Sequence, residues 1–173
     1  MAVLALCQAP DPVLRRKTRR VRTIDASLRQ LIRDMIETMH HAQGVGLAAN
    51  QVGVPLRLAV IGMPDEEEIR VLINPEVVRR VGEREVEEGC LSIPGYRGTL
   101  RRSVKIRVKA LDQEGKEFRV SAENDLLAQA LEHEIDHLNG TLYIDHLESP
   151  ERLYRIPLEE EPQGAGEGAA GEG

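Results

Sequence analysis

The sequence predicts a domain that contains both α-helices and antiparallel β-strands. Apolar residues repeat at helical spacing in two segments, one after Asp25 and one after Asn124. Between them, the apolar residues of segment 104–110 alternate with Lys and Arg, which is typical of a sheet with one solvated face. A chain of 173 residues is long enough for one such domain with a sizeable core. Because only 2% of the residues are aromatic, that core must consist mainly of Leu, Val, Ile and Ala.

The pattern of residues in the N-terminal half predicts one helix, a glycine-rich segment and two strands. Asp25 is a suitable N-cap, since its side chain can accept a hydrogen bond from a free N–H group of the first turn. Residues 28–39 then place Leu, Ile and Met on one face, and the glycines that follow end the helix. Segment 44–53 is uncharged and rich in small residues, which allow a ligand or another strand to approach the backbone closely. β-prone stretches follow at Leu56–Met63 and Val71–Val81.

The C-terminal half predicts a strand pair followed by a second helix. The alternating strand 104–110 leads into a turn at 112–115 and a further strand at 118–121. A helix then begins near Asn124 and ends at Gly140.

Composition and termini exclude several classes of protein. The net charge of −6 argues against a protein that binds nucleic acid across its whole surface. No apolar run approaches the length of a membrane span, and residues 1–6 are too short and too lightly charged for a signal peptide, so neither feature is expected. Cys7 and Cys90 do not make a disulfide framework, so a reducing, cytoplasmic location is expected. Residues 159–173 contain only Glu, Pro, Gln, Gly and Ala, so we expect a disordered tail after a single domain at 1–158.

The segment with the clearest chemical meaning is His133-Glu134-Ile135-Asp136-His137. Two histidines four residues apart on a helix lie on the same face, so both imidazoles can reach one cation. The glutamate after the first histidine then lies beside the open side of the metal, where it can take a proton from a bound water. The alternative is an amphipathic helix whose histidines bind nothing, and a third ligand would decide between the two.

Three kinds of residue are candidates for the third ligand. Some HExxH proteins use a further histidine after the motif, but Tyr143 occupies that position here and His146 comes three residues later. Others use a downstream glutamate, but Glu159–Glu161 belong to the predicted tail. Cys90 remains, and its thiolate would bind Zn or Fe(II) strongly in a segment flanked by Gly and Pro. A lone cysteine is more often a small buried side chain, which is the interpretation kept for Cys7.

Three segments together resemble one family, the peptide deformylases. They are Gly44-Val45-Gly46-Leu47-Ala48-Ala49-Asn50-Gln51, Glu88-Gly89-Cys90-Leu91-Ser92 and the HExxH motif. The resemblance spans roughly residues 5 to 150. It implies an α+β fold with antiparallel β-sheets packed around a central helix that carries the motif. It also implies removal of the N-terminal formyl group from the formyl-methionine of newly synthesised polypeptides, with release of formate.

The resemblance implies a role for each candidate catalytic residue. Cys90 and the two histidines of the motif would hold one divalent metal ion, natively Fe(II), with Zn, Ni or Co as alternatives. Glu134 would act as general base on the metal-bound water that attacks the formyl carbon. The side-chain amide of Gln51 and the backbone N–H of Leu91 would donate hydrogen bonds to the oxygen that becomes negative.

Four residues are candidates for binding the substrate. Val45, Leu91 and Ala130 would line an apolar pocket for the methionine side chain. Ala130 is included because it lies three residues before His133, on the same face of the helix. The backbone around Gly46 would pair with the nascent polypeptide as an added strand. Core packing is an equally good role for Val45 and Ala130.

Two features differ from the usual family pattern. Glu132 stands where members more often have glutamine, and its charge is expected to alter either the hydrogen bonds around the metal site or the preference for one metal. The chain also ends in acidic residues rather than in the basic helix by which some members dock on the ribosome. A weak ribosome contact would instead use the basic stretch Arg15–Arg22, whose simpler interpretation is a solvated loop. No membrane partner and no sequence-specific nucleic acid are expected.

The sequence leaves two other functions open. A metallopeptidase that cleaves ordinary peptide bonds would use a third ligand other than Cys90. A non-catalytic metal-binding protein with the same fold would be expected to lack Glu134 or Gln51, and both are present.

Overall fold

The computed structural model describes residues 2–157, which form two sheets of antiparallel strands and two α-helices. One sheet has five strands in the order β1-β2-β3-β6-β7, and the other has three in the order β4-β5-β8. The predicted tail at 159–173 lies outside the described residues. The elements are β1 (Gly46–Ala48), β2 (Leu58–Ile61), β3 (Arg70–Val81), β4 (Arg84–Cys90), β5 (Ile93–Arg102), β6 (Lys105–Leu111), β7 (Glu117–Glu123), β8 (Leu153–Arg155), α1 (Ala26–His41) and α2 (Leu126–Leu138).

An aspartate is the N-cap residue of each helix. The side chain of Asp25 accepts a hydrogen bond from the backbone N–H of Leu28 (2.9 Å), as predicted. Asp125 does the same for Ala128 at the start of α2 (2.9 Å). Gly140 follows α2 with a φ of +78°, and a side chain there would lie 2.5 Å from a backbone oxygen. Neither helix of the described part of the chain is long and apolar enough to cross a membrane.

Four strands of the five-stranded sheet agree with the sequence, whereas β1 and the three strands of the other sheet were not predicted. β3, β6 and β7 lie where alternating or β-prone stretches predicted them. β4 and β5 were not predicted, because the Glu and Arg residues of 84–88 obscure any apolar alternation. Cys90, expected outside any periodic segment, is the last residue of β4. A register shift between Glu88 and Cys90 interrupts the alternation there.

Two helices cover opposite faces of the five-stranded sheet. α2 packs on the inner face, where Leu72, Ile106 and Val108 form one core with Leu131 and Ile135. α1 packs on the outer face through a second core. This core includes Ile32, Met35, Leu58, Val60, Val71 and Ile73. Because successive side chains of a strand point to opposite faces, β2 and β3 contribute to both cores. The inner core holds α2, and with it the HExxH motif, against the sheet.

Candidate metal centre and active site

The HExxH motif lies in the middle of α2 and is almost entirely buried. Ala130, Leu131 and Ile135 point into the inner core and thereby set the rotation of the helix about its axis. His137 is 1% exposed and Glu134 is 3% exposed. The helix therefore presents two imidazoles and a carboxylate to an enclosed site rather than to bulk solvent, which excludes the solvated amphipathic helix.

Cys90, His133 and His137 come together with their ligand atoms within 4.8 Å of one another. The Sγ atom of Cys90 is 3.2 Å from Nε2 of His137, which is 3.1 Å from Nε2 of His133. Tetrahedral ligands at ordinary zinc bond lengths would be about 3.3 to 3.6 Å apart. Two imidazole nitrogens and one sulfur at these separations fit a single divalent cation.

A chain of charged hydrogen bonds supports one ligand from behind. Nδ1 of His133 contacts a carboxylate oxygen of Glu88 (2.6 Å), so Nε2 is the nitrogen that faces the other ligands. Arg102 binds both carboxylate oxygens of Glu88 (2.5 and 3.0 Å) and also donates to Asp136 (2.5 Å). Asp136 in turn contacts the imidazole of His146 (2.8 Å). The ring orientation of His133 is therefore fixed by groups from β4 and β5 of the smaller sheet, from α2 and from the segment that follows α2.

The two imidazoles differ in their affinity for a proton. Burial favours the neutral form of His133, but its hydrogen bonds with Cys90 and Glu88 outweigh burial and raise its pKa well above the usual value. Burial and the neighbouring His133 lower the pKa of His137 well below the usual value. Glu88 is also opposed by burial, yet its hydrogen bonds with His133 and Arg102 lower its pKa to about 2. The ionised Glu88 and the neighbouring Cys90 thus favour a positive charge at His133. A divalent cation held by the three ligand atoms would supply such a charge.

Glu134 has the protonation behaviour that a general base requires. Burial raises the pKa of its carboxyl group to about 7, although the nearby His133 opposes the shift. One carboxylate oxygen lies 3.9 Å from Nε2 of His133, and the other is buried without a partner among the described residues. A side chain at Gly46 would come within 2.8 Å of this carboxylate. Gly46 therefore leaves the space that Glu134 occupies, a role that the sequence did not indicate.

Gln51 reaches the same site from a short 3₁₀ turn at Ala49–Val52. Its Oε1 accepts a hydrogen bond from the backbone N–H of Ala48 (3.0 Å), which fixes which end of the amide is the donor. Its Nε2 then donates to Oγ of Ser92 (3.0 Å) and lies 3.6 Å from Sγ of Cys90. The amide donor is therefore directed at the metal cluster, and Gln51 is not a surface residue.

A cleft of about 400 Å³ opens onto the cluster. All four predicted substrate-binding residues line it, together with Gln51, Cys90, His133 and Glu134. His137 lies behind this lining. Other lining residues could not be predicted from the sequence, because they come from unpredicted strands or from turns of α2 without a chemical motif. These residues include Ile93, Tyr96, Arg97, Leu126 and Gln129.

Two residues considered from the sequence, Glu132 and Tyr143, have environments that the sequence did not indicate. Glu132 points away from the ligands, because its carboxylate accepts from the backbone N–H of Ser103 (2.6 Å) and lies 3.4 Å from Arg80. The expectation that its charge alters hydrogen bonds at the metal site is therefore wrong. Tyr143 packs its ring near that of His133, with centroids 6.4 Å apart. It contributes packing at the position where other HExxH proteins have a ligand.

Comparisons with known proteins agree with this site. A family model described as polypeptide deformylase matches residues 3–153. A peptide deformylase of Dehalococcoides mccartyi (strain CBDB1) is 54% identical over 94% of this chain and 98% of its own. One from Rhizobium meliloti is 52% identical over 88% of this chain and 89% of its own.

Solved structures give the same result. The crystal structure of a peptide deformylase from Legionella pneumophila is 51% identical, with a TM-score of 0.84, and the match covers 87% of this chain and 89% of that one. A Synechococcus elongatus peptide deformylase in complex with actinonin is 43% identical, with a TM-score of 0.82 and coverage of 86% and 81%.

Proposed function

This chain belongs to the peptide deformylase family, a family of metal-dependent hydrolases that remove the N-terminal formyl group from nascent polypeptides, and we propose from its geometry which residues perform the reaction. The observation that carries the proposal is the convergence of Cys90, His133 and His137 within 4.8 Å at the base of a cleft. Glu134 and Gln51 line the same cleft. We assign the first three residues to the metal and the other two to catalysis.

The ligand set favours a soft or borderline divalent ion. One thiolate and two imidazoles accept Fe(II), Zn, Ni or Co, and we propose Fe(II) as the native ion. When bound, the ion provides an open coordination position at which water loses its proton near neutral pH. Glu88 and Arg102 support this assignment, because they hold the Nε2 atom of His133 toward the other two ligands.

Glu134 is the residue that we propose to move the proton. A carboxyl group with a pKa of about 7 can accept a proton from the attacking water and release it near neutral pH. The proton would pass to the amine that leaves when the formyl C–N bond breaks. Burial serves this function because it raises the affinity of the carboxylate for a proton.

Gln51 and Leu91 are proposed to stabilise the negative oxygen of the tetrahedral intermediate. The amide of Gln51 is held by Ala48 with its NH₂ group toward Cys90, so the donor needs no reorientation during the reaction. Leu91 lies in the turn between β4 and β5, directly after Cys90, and lines the cleft. Its backbone N–H is therefore close in sequence and in space to the metal ligand.

The substrate would bind along the edge of the larger sheet. β1, which contains Gly46, is the terminal strand of that sheet, so one of its edges has no strand partner within the described residues. A peptide in extended conformation can pair with such an edge. Val45, Leu91 and Ala130 line the adjoining cleft and would contact the methionine side chain.

Enlarging Ala130 is expected to reduce the preference for methionine. Ala130 is 4% exposed and lies on the wall of the cleft, so an Ala130→Val variant would narrow the pocket by two methyl groups. We expect kcat/KM for formyl-Met peptides to fall by about 10-fold or more, with a smaller loss for formyl-Ala peptides. Leu127→Val is the control, because Leu127 packs against the same core as Ala130 but does not line the cleft. An unchanged ratio between the two substrates would exclude Ala130 from the pocket.

Cys90 is expected to be required for metal binding. Cys90→Ala should lower the metal content of the purified protein to a small fraction of one ion per chain, because it removes one of three ligands. Cys7→Ala should keep its metal, since Cys7 lies outside the cluster. Metal analysis of both variants, with formate release from a formyl-Met peptide, provides the test. Full metal content in Cys90→Ala would favour a metallopeptidase-like site with another third ligand.

We also propose a central position for α2 in the fold, a cytoplasmic location and a contact with the ribosome. We describe α2 as the central element, since it packs on β1, β2, β3, β6 and β7 while its histidines meet Cys90 of the smaller sheet. A cytoplasmic location follows from substrates that are newly made polypeptides.

We also propose a weak contact with the ribosome through the basic stretch Arg15–Arg22. The exposed side chains of Arg16, Lys17 and Arg19 support this contact.

A further inference from the structure

The outer face of the five-stranded sheet is covered along only part of its length. α1 covers it as far as Ile73 and Leu111, which are opposite each other on β3 and β6. Beyond that pair, the outward side chains of β3, β6 and β7 include a group that we call the basic sheet face. Its members are Arg79, Lys105, Arg107, Lys109 and Arg119, and all but the half-buried Lys109 are exposed.

Like charges are directly opposite each other on this face. Arg79 pairs in register with Arg107, and Lys109 pairs in register with Arg119. Neighbouring strands are about 4.8 Å apart, so each pair brings two cations close together and lowers the stability of the sheet. Of the five residues, only Lys109 forms an ion pair within residues 2–157, with Glu76 (3.6 Å). Glu117 and Glu123 of β7 point to the same face, and Glu123 lies opposite Lys105, so the remaining four cations exceed these two carboxylates by two. This face is therefore positively charged on a chain whose net charge is −6.

The basic stretch near the N-terminus adjoins this face. Glu76, which pairs with Lys109, also pairs with Arg20 (3.1 Å). Two hydrogen bonds between the backbone of Val21 and the side chain of Asn74 hold the stretch against the first half of β3 (2.7 and 2.9 Å). Arg19, Arg20 and Arg22 line a concave surface at this point. The two sets of cations therefore form one continuous surface.

We propose that this continuous surface binds the phosphate backbone of RNA. Most of its cations are arginines, whose planar guanidinium groups bind phosphate through two parallel hydrogen bonds. An anionic membrane is a poorer match, because Val78 and Val81 are the only large apolar side chains exposed on these strands. The proposal rests on the deformylase function, since nascent polypeptides emerge from the ribosome, a particle rich in RNA.

The position of the surface is compatible with catalysis. Lys105, Arg107 and Lys109 alternate along β6 with Ile106 and Val108, which belong to the inner core beneath α2. The basic sheet face therefore points away from the helix that carries the HExxH motif. RNA bound there would leave the cleft open to a peptide.

A binding titration with matched charge variants tests the proposal. The triple variant Arg79→Gln, Arg107→Gln, Arg119→Gln removes three charges from the basic sheet face. The control Arg29→Gln, Arg33→Gln, Arg101→Gln removes three exposed arginines elsewhere. Each metal-loaded protein is titrated with a fluorescent double-stranded RNA of about 20 base pairs and with phosphatidylglycerol vesicles, over a range of KCl concentrations.

We expect the first triple variant to bind RNA about 10-fold or more weakly than wild type. The slope of log Kd against log salt should fall by about two to three, since each lost phosphate contact contributes about 0.7 to 0.9. The control should behave like wild type, and all three proteins should hydrolyse a short formyl-Met peptide equally well. That last measurement separates failure of RNA binding from failure of the deformylase assignment. Equal RNA binding by both triple variants, or tighter binding to vesicles than to RNA, would overturn the proposal.

Discussion

Replacing Glu134 with alanine is expected to lower kcat by about 100- to 10,000-fold while the protein keeps its metal. This is the range that general acid–base catalysis contributes. Glu134 is separate from the three ligands, and one of its oxygens has no hydrogen-bond partner among the described residues, so its removal should leave the metal cluster in place. KM should change little, because the carboxylate is expected to act on the attacking water rather than on the bound peptide.

Formate release from a formyl-Met peptide, measured with metal analysis of the same preparation, provides the test. Glu134→Gln is the companion variant, since it keeps the size of the side chain and removes only the ability to accept a proton. We expect both variants to be equally inactive. Loss of metal in Glu134→Gln, or turnover near that of wild type, would contradict the role of Glu134 as the base.

Replacing Arg102 with glutamine is expected to destabilise the fold and weaken metal binding together. The side chain of Arg102 is 2% exposed and neutralises Glu88 and Asp136, which are 5% and 15% exposed. Its removal would leave two carboxylates without their cation, and breaking a buried ion pair typically costs about 3 to 5 kcal/mol. Because Glu88 orients His133, we also expect metal affinity to fall by about 10- to 100-fold.

The neighbouring Arg101 offers a matched control on the same strand. Arg101 is 59% exposed and its ion pairs with Glu83 and Glu148 lie on the surface, where such pairs contribute about 0 to 1 kcal/mol. Urea unfolding of Arg101→Gln and Arg102→Gln at saturating metal, and metal competition with a chelator, would measure both effects. Equal stability and equal metal affinity in the two variants would show that the buried chain of charges does not support the metal site.

The local part of the site could be predicted from sequence. The i, i+4 spacing of His133 and His137 places both imidazoles on one helical face, whatever surrounds the helix. Glu134 lies beside them for the same reason. The resemblance to the deformylases then implied Cys90 and Gln51, and the structure brings both residues to the cluster.

The supporting residues could not be predicted in this way. Arg102 lies 14 residues from Glu88 and 34 from Asp136, so only the pairing of β4 with β5 and their packing near α2 reveal the contact. The orientation of Glu132 has the same explanation, because its partner is a backbone N–H of the loop after β5. The need for glycine at position 46 appears only when β1 is seen against Glu134.

The sequence by itself determined the elements whose stability is local: two capped helices, the alternating strands of the larger sheet and the metal-binding face of α2. Tertiary structure alone decided which charges meet, because hydrogen bonds between distant segments depend on strand register and helix rotation rather than on spacing along the chain. It also decided which half of the sheet stays uncovered. The basic sheet face is encoded as a simple alternation, but its exposure follows from the place where α1 ends its contact with the sheet.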